Sequence, residues 1–407
     1  MTVLGMAALL PVPTRSLGGA TVVKPAQEDS TPLANEAAVS LISAGPESPS
    51  DVVIPEFNGN QTTDLLVTAG SVSRSPANSL SVLGAYVKRM MVGHAALAFA
   101  IAVWVSHRYG FAPERALLVG TAAGAFAVVP DVDMGYALVG LATAGTIDPS
   151  VLQETFWDAG LTVHRGMTHS LVVAGVAGVG FGLLAYRDSR RLAGIALLAG
   201  MLVVTGAFLG VLETGVMASF VLAGVVVAVG ARRAGIDSRS VLAAALIGVL
   251  SHPFGDLFTG TAPRLLYPFD VRLLPTRVTL SADPTLHLLG AFALELAMVW
   301  LAVGVYLAVR DQPMRAHVHR RAVLGAGYAA AVLALPPPTL SVSYHFVFSV
   351  LAVGVVCGSA DLPAPDLRCS RTRRRVLLTS LTAVTVALMA YAAAYVTVTH
   401  TAVGQTI

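Results

Sequence analysis

Leu286–Val309 reads LHLLGAFALELAMVWLAVGVYLAV, 24 residues with a single charged side chain, Glu295. A helix rises about 1.5 Å per residue, so this run reaches roughly 36 Å, enough to cross a hydrocarbon core of ~30 Å. A helix at the surface of a soluble domain carries a polar face along its length; this one has none. It reads as a membrane span, and it does not stand alone. Further candidate spans run Met91–Ser106, Arg115–Val129, Ser170–Tyr186, Leu192–Leu212, Gly215–Ala231, Ser240–Thr259, Ala322–Leu335, Leu340–Gly358 and Val376–Val398, about ten in all.

Composition agrees. Of 407 residues, 55% belong to the AVILMFWYC set and 12% are charged, against about 25% charged in an ordinary soluble domain. A soluble globular protein and a disordered chain are both excluded, and the expected fold class is all-α, a polytopic membrane helix bundle. The formal net charge of +3 is too small to suggest a nucleic-acid partner. The two cysteines, Cys357 and Cys369, make neither a disulfide framework nor a thiolate metal site. GVAGVGFG at Gly175–Gly182 looks like a nucleotide loop, but it lies inside a span with no strand before it. Close helix packing explains it.

Three regions are expected. Residues 1–89 are rich in Ser, Thr, Pro, Ala and Glu and read as a disordered leader, unless translation starts at Met90 or Met91. Residues 90–285 hold the polar clusters described next. Residues 286–407 hold further membrane helices with no assigned role. With ten spans, seventeen basic residues fall in one set of loops and six in the other. The positive-inside rule puts the larger set in the cytoplasm. This orientation requires Leu192–Ala231 to cross twice.

Four polar clusters interrupt the apolar pattern. His94 opens the first span. PDVD places Asp131 and Asp133 at the end of the second, where Pro130 favours an extended or turned backbone. HRGMTHS places His164 and His169 before the third, with Gly166 to permit a bend; Thr168 there could cap a helix. SHPFGD puts His252 and Asp256 at i, i+4, on one helical face. In the ten-span topology all four clusters lie at the same outer, extracytoplasmic face. Imidazole with carboxylate suits zinc, with manganese as the alternative, and seven such groups suggest one or two divalent ions. Paired metals activate water and stabilise an oxyanion. Arg165, Arg264 and Arg272 lie on the cation-poor side, and guanidinium groups clamp phosphate oxygens in bidentate fashion. They are the candidate substrate contacts; the alternative is that they dock to the anionic head groups of membrane lipids.

The run from GHAALAFA (Gly93–Ala100) through PDVD, HRGMTHSL and SHPFGDLFT to LLYPFDVRLLP (Leu265–Pro275) resembles the YdjM-like family of predicted membrane-bound metal-dependent hydrolases, including its LexA-regulated inner-membrane members. The resemblance implies that His94, Asp131, Asp133, His164, His169, His252 and Asp256 are ligands or catalytic groups. It also suggests kinship with zinc-dependent phospholipase C enzymes through the HxxxD element. Pro253, directly after His252, departs from the pattern and is expected to disturb the helix. The leader and the spans from Leu286 onward lie outside the resemblance.

Together these features point to a multi-pass cell-membrane hydrolase of phosphoester bonds, in a small molecule or a lipid head group. Asp131, Asp133, His164, His169, His252 and Asp256 would hold metal, with His94, His164 and Asp133 catalytic. A serine hydrolase is disfavoured, since Ser170 and Ser251 lack a G-x-S-x-G elbow. The rivals are an ion-coupled transporter, for which Glu295 and His345 would mark the path, and a non-catalytic metal-binding membrane protein.

Overall fold

A computed structural model of the chain describes residues 92–340, 342–359 and 370–404. The leader and Cys369 lie outside the described residues, whose regular structure is entirely helical. The order is α1 (Val92–Arg108), α2 (Pro113–Val128), α3 (Ala137–Thr143), α4 (Pro149–Val163), α5 (Leu171–Leu184), α6 (Ser189–Phe208), α7 (Val211–Arg233), α8 (Ser238–Gly255), α9 (Pro284–Val309), α10 (Ala331–Ala334), α11 (Tyr344–Ser359) and α12 (Ser370–Gly404).

Local chemistry sets the boundaries. Pro113 opens α2, where its missing N–H costs nothing. Asp188, Asp237 and Asp283 accept from the first-turn amides of α6, α8 and α9. Asp283 accepts from Thr285 N and Leu286 N, both at 2.8 Å. The Leu286 amide foremost, with the Tyr395 hydroxyl and the Thr285 amide, holds its carboxyl below the usual carboxylate range against the opposing effect of burial. Apolar length does the rest. Pro113–Thr143, Ser189–Phe208, Val211–Arg233, Ser238–Phe258, Pro284–Val309 and Thr372–Thr401 are each long and apolar enough to cross a membrane. Helices α5 and α11 are apolar but shorter.

The core that carries the site is α8 laid against α1, α2 and α5. Small residues let these helices approach closely. A Cβ at Gly248 of α8 would lie 2.5 Å from Ala123 O and from Phe126 Cβ of α2. Phe126, Phe181 and Phe220 are fully buried in this core, with Phe126 and Phe181 stacked at 5.9 Å. Helices α6 and α7 form a hairpin around Gly210, whose φ of 112° suits glycine. Leu198 of α6 and Gly224 of α7 both meet the Gly180–Phe181 region of α5. Leu192–Ala231 thus contains two span-length helices, as the charge argument requires.

Among the described residues six helices are long and apolar enough to cross a membrane, so the expected count of ten is not confirmed, and two segments differ from expectation. The chain does not break after PDVD. It continues as a 3₁₀ helix, Val129–Tyr136, into α3, and α3 packs against α4. Neither α3 nor α4 was expected. They pack so closely that Gly140 lies against the Thr155 carbonyl. Ala322–Leu335, expected as one span, is instead a 3₁₀ segment, Arg320–Ala330, followed by the single turn of α10. Gly325 in that segment lies against the Ala383 carbonyl of α12, too close for any side chain. This backbone contact between the segment and α12 is visible only in the assembled fold.

Candidate metal centre

The four polar clusters meet. Asp131 and Asp133 sit on the 3₁₀ helix Val129–Tyr136, which follows the last turn of α2. His164 follows α4, and His169 ends a 3₁₀ turn, Met167–His169, ahead of α5. Ser170, not Thr168, caps α5, accepting from Val172 N and Val173 N. His252 lies in the last turn of α8. Pro253 does not deflect the pair: α8 runs through it to Gly255 and tightens into a 3₁₀ turn, Asp256–Phe258, so His252 and Asp256 still face each other. His94 arrives from the first turn of α1, its ring 4.4 Å from that of His252.

Four buried atoms form the centre of the cluster. His169 Nε2 lies 3.2 Å from Asp256 Oδ2 and 3.6 Å from Asp131 Oδ1. His252 Nε2 lies 3.6 Å from Asp131 Oδ1 and 3.7 Å from Asp256 Oδ2. A tetrahedron of zinc ligands at about 2.0–2.2 Å has edges of roughly 3.3–3.6 Å, and the observed separations lie around those values. His169 Nε2, His252 Nε2 and Asp256 Oδ2 are buried with no hydrogen-bond partner, a costly state for polar atoms that a cation would relieve. His94, His252 and Asp256 form one group able to hold an ion, and Asp131, His164 and His169 a second.

The surrounding bonds orient the ligand nitrogens. His252 Nδ1 lies 2.7 Å from the Ala127 carbonyl, which can only accept, so Nδ1 carries the proton and Nε2 offers its lone pair. Thr168 Oγ donates to Asp133 Oδ2 at 2.8 Å, and its one proton is thereby used. His169 Nδ1, 3.0 Å away, must then donate to Thr168 Oγ, which turns His169 Nε2 toward the cluster. Asp133 itself faces away from the four-atom centre. Its second oxygen accepts from His164 Nδ1 at 2.9 Å. Sequence pattern placed Asp133 among the ligands, whereas its bonds fit an orienting role for His164 and His169.

Arg165 departs from its expected role. It adopts a left-handed backbone, φ 62°, and its guanidinium is buried. It donates to Asp256 Oδ1 at 2.6 Å, Thr259 Oγ at 2.9 Å and Thr261 O at 2.7 Å, and also to Thr259 O. The side chain ties Asp256 to the following loop. Arg264 and Arg272 line a separate cleft. The two serines beside the histidines are occupied: Ser170 Oγ donates to Tyr267 O at 2.6 Å and Ser251 Oγ to Gly248 O at 3.0 Å.

A cavity of about 70 Å³ opens on the cluster. His94, Asp131, His164 and Asp256 line it, together with Leu288, Phe292, Glu295 and Leu340. Glu295 accepts from Gly93 N at 2.6 Å, across 202 residues of sequence. Sequence reading set Glu295 apart as a transport-path residue; here it closes the same cavity. Its only sequence signal was a lone carboxylate in an apolar run.

No curated protein and no solved structure matches the chain. The YdjM inner membrane protein family matches residues 90–313, more than half of the sequence and further than the motif resemblance reached, since it takes in α9 and Glu295. With the order of its four polar clusters reproduced in one buried centre and the match running through the helix that closes the cavity, the chain belongs to the YdjM inner membrane protein family.

Proposed function

We propose that this membrane protein is a metal-dependent hydrolase of phosphoester bonds. The observation that carries the reading is the ring of four buried atoms, Asp131 Oδ1, His169 Nε2, Asp256 Oδ2 and His252 Nε2, with successive separations of 3.2 to 3.7 Å. A divalent ion bound there, zinc or manganese, supplies Lewis-acid polarisation and lowers the pKa of water. The chain's own groups do the rest. His164 lines the cavity with Asp133 on its Nδ1, the base-plus-orienter arrangement of general-base catalysis. His94 lines the same cavity, 3.8 Å from Asp256, and serves as second proton carrier or as a ligand to a second ion.

The cavity is small, so it takes the reacting phosphoryl group and little more. Apolar side chains, Leu288, Phe292, Leu340 and Val347, line it beside the polar groups. That pairing suits a lipid phosphoester, whose polar and apolar parts adjoin, better than a freely soluble one. The test is hydrolysis of chromogenic phosphoesters by purified protein, before and after chelation. Chelator-sensitive turnover that His164→Ala abolishes supports the proposal. Metal binding without turnover on any phosphoester would leave the non-catalytic reading standing.

A further inference from the structure

The segment 259–283 joins Ser238–Phe258 to Pro284–Val309, two helices long and apolar enough to cross a membrane, which places it at a membrane surface when they do. It is anchored to the site scaffold. Val278 N donates to Leu257 O at 2.8 Å, Leu171 N donates to Leu265 O at 2.8 Å, and Arg165 grips the carbonyls of Thr259 and Thr261. Gly260, at φ 57°, passes so close to Arg165 that a Cβ would meet its guanidinium at 2.7 Å.

This anchored segment encloses an open cleft of about 600 Å³, within the size range of small-ligand sites. Arg264, Arg272 and Arg277 line it, all exposed. Among the described residues no carboxylate lies within ion-pair distance of any of the three, whereas Arg115, Arg165, Arg190 and Arg310 each have an acidic partner. Around the arginines the loop exposes large apolar side chains: Phe269 is 64%, Val271 53% and Leu273 56% accessible. Exposed apolar groups beside unneutralised cations are the pattern of a segment seated at the boundary between acyl chains and head groups.

We propose that this loop is a lipid-binding site. The arginines hold the phosphate of an anionic phospholipid head group, and Phe269, Val271 and Leu273 dip into the acyl boundary. The site is distinct from the hydrolytic cavity and stands on the membrane placement of the loop, not on the hydrolase reading. Arg264 and Arg272 thereby serve a resident lipid rather than the bond to be cleaved, and Arg165 joins the two sites by bonding both Asp256 and the Thr261 carbonyl of the loop.

The experiment uses full-length protein in a non-ionic detergent, titrated with dihexanoyl phosphatidylglycerol, dihexanoyl phosphatidylcholine or inorganic phosphate, with bound molecules counted by native mass spectrometry. The glycerol lipid should bind saturably, more tightly than the choline lipid, and more weakly as salt rises. Each Arg→Gln change should weaken it about fivefold, and R264Q/R272Q/R277Q roughly a hundredfold. Arg190→Gln, which removes a guanidinium paired with Asp188, should leave it unchanged. Phe269→Ser with Leu273→Ser should weaken lipid binding while leaving any phosphate binding as it was. Equal affinity for the two lipids, wild-type binding by the triple variant, or inorganic phosphate bound as tightly as the lipid would each overturn the assignment. If the triple variant is not monodisperse, the single variants decide by the same fivefold criterion.

Discussion

Replacing Thr168 by Val should weaken metal binding although Thr168 is not a ligand. The side chains are nearly isosteric, so the change deletes a hydroxyl with little change in volume. That hydroxyl is fully buried and makes two bonds, to Asp133 Oδ2 at 2.8 Å and His169 Nδ1 at 3.0 Å. Removing it leaves a buried carboxylate oxygen one partner short, at a cost of about 1–3 kcal/mol. It also frees His169 Nδ1, so the tautomer that directs Nε2 at Asp131 and Asp256 is no longer imposed. Loss of such an orienting partner lowers metal affinity by about 10- to 100-fold. The assay is competition for zinc between detergent-purified apoprotein and a chromogenic chelator. Thr168→Ser keeps the hydroxyl and should stay within about threefold of wild type, as should Thr121→Val, whose hydroxyl bonds only to Leu117 O of its own helix. If Thr168→Val bound zinc as tightly as Thr168→Ser, the orienting network would be irrelevant to the site and the ligand assignment of His169 would fall with it.

Three other outcomes are expected. Purified protein should carry one to two divalent ions per chain by elemental analysis; Asp131→Ala and His252→Ala should each lose at least one, and His107→Ala, on the exposed end of α1, should lose none. Gly248→Ala should destabilise by about 1–3 kcal/mol and lower zinc affinity, because its methyl would push α8, and with it His252, away from α2; Gly230→Ala, with open space at the Cβ, should not, and equal melting temperatures would refute the packing argument. Asp237 caps α8 and pairs with Arg115 at 2.5 Å; burial raises its pKa, but Ser240 and Arg115 outweigh that and hold it at about 2, below the ordinary 3.8. Its contribution is therefore present above about pH 4 and lost as pH falls toward 2. Because its side chain is 42% exposed, screening keeps the ion pair's part small and the cap dominates, so Asp237→Ala should cost about 1 kcal/mol at pH 7 and progressively less below pH 4 in thermal melts.

What the sequence determined by itself is the membrane character and the chemistry of the site. Transfer of an apolar side chain from water to lipid acts residue by residue, so Leu286–Val309 announces its environment without reference to any other segment. The same holds for HRGMTHS and SHPFGD, where ligand-type residues interrupt apolar runs that would otherwise exclude them. Direction and contact belong to the tertiary structure. Asp133 and His164 are 31 residues apart, joined through a helical pair, α3 and α4, that the candidate spans read from the sequence do not include. Gly93 and Glu295 are 202 apart, and only the packing of α9 on α1 brings them together. Arg165 and Arg264 look alike as arginines on a cation-poor face; a left-handed backbone turns the first inward onto Asp256, while the second remains at the cleft. The 3₁₀ path of Arg320–Ala330 was likewise hidden, since its close passage over Ala383 is a contact between backbones, and hydropathy reports only on side chains.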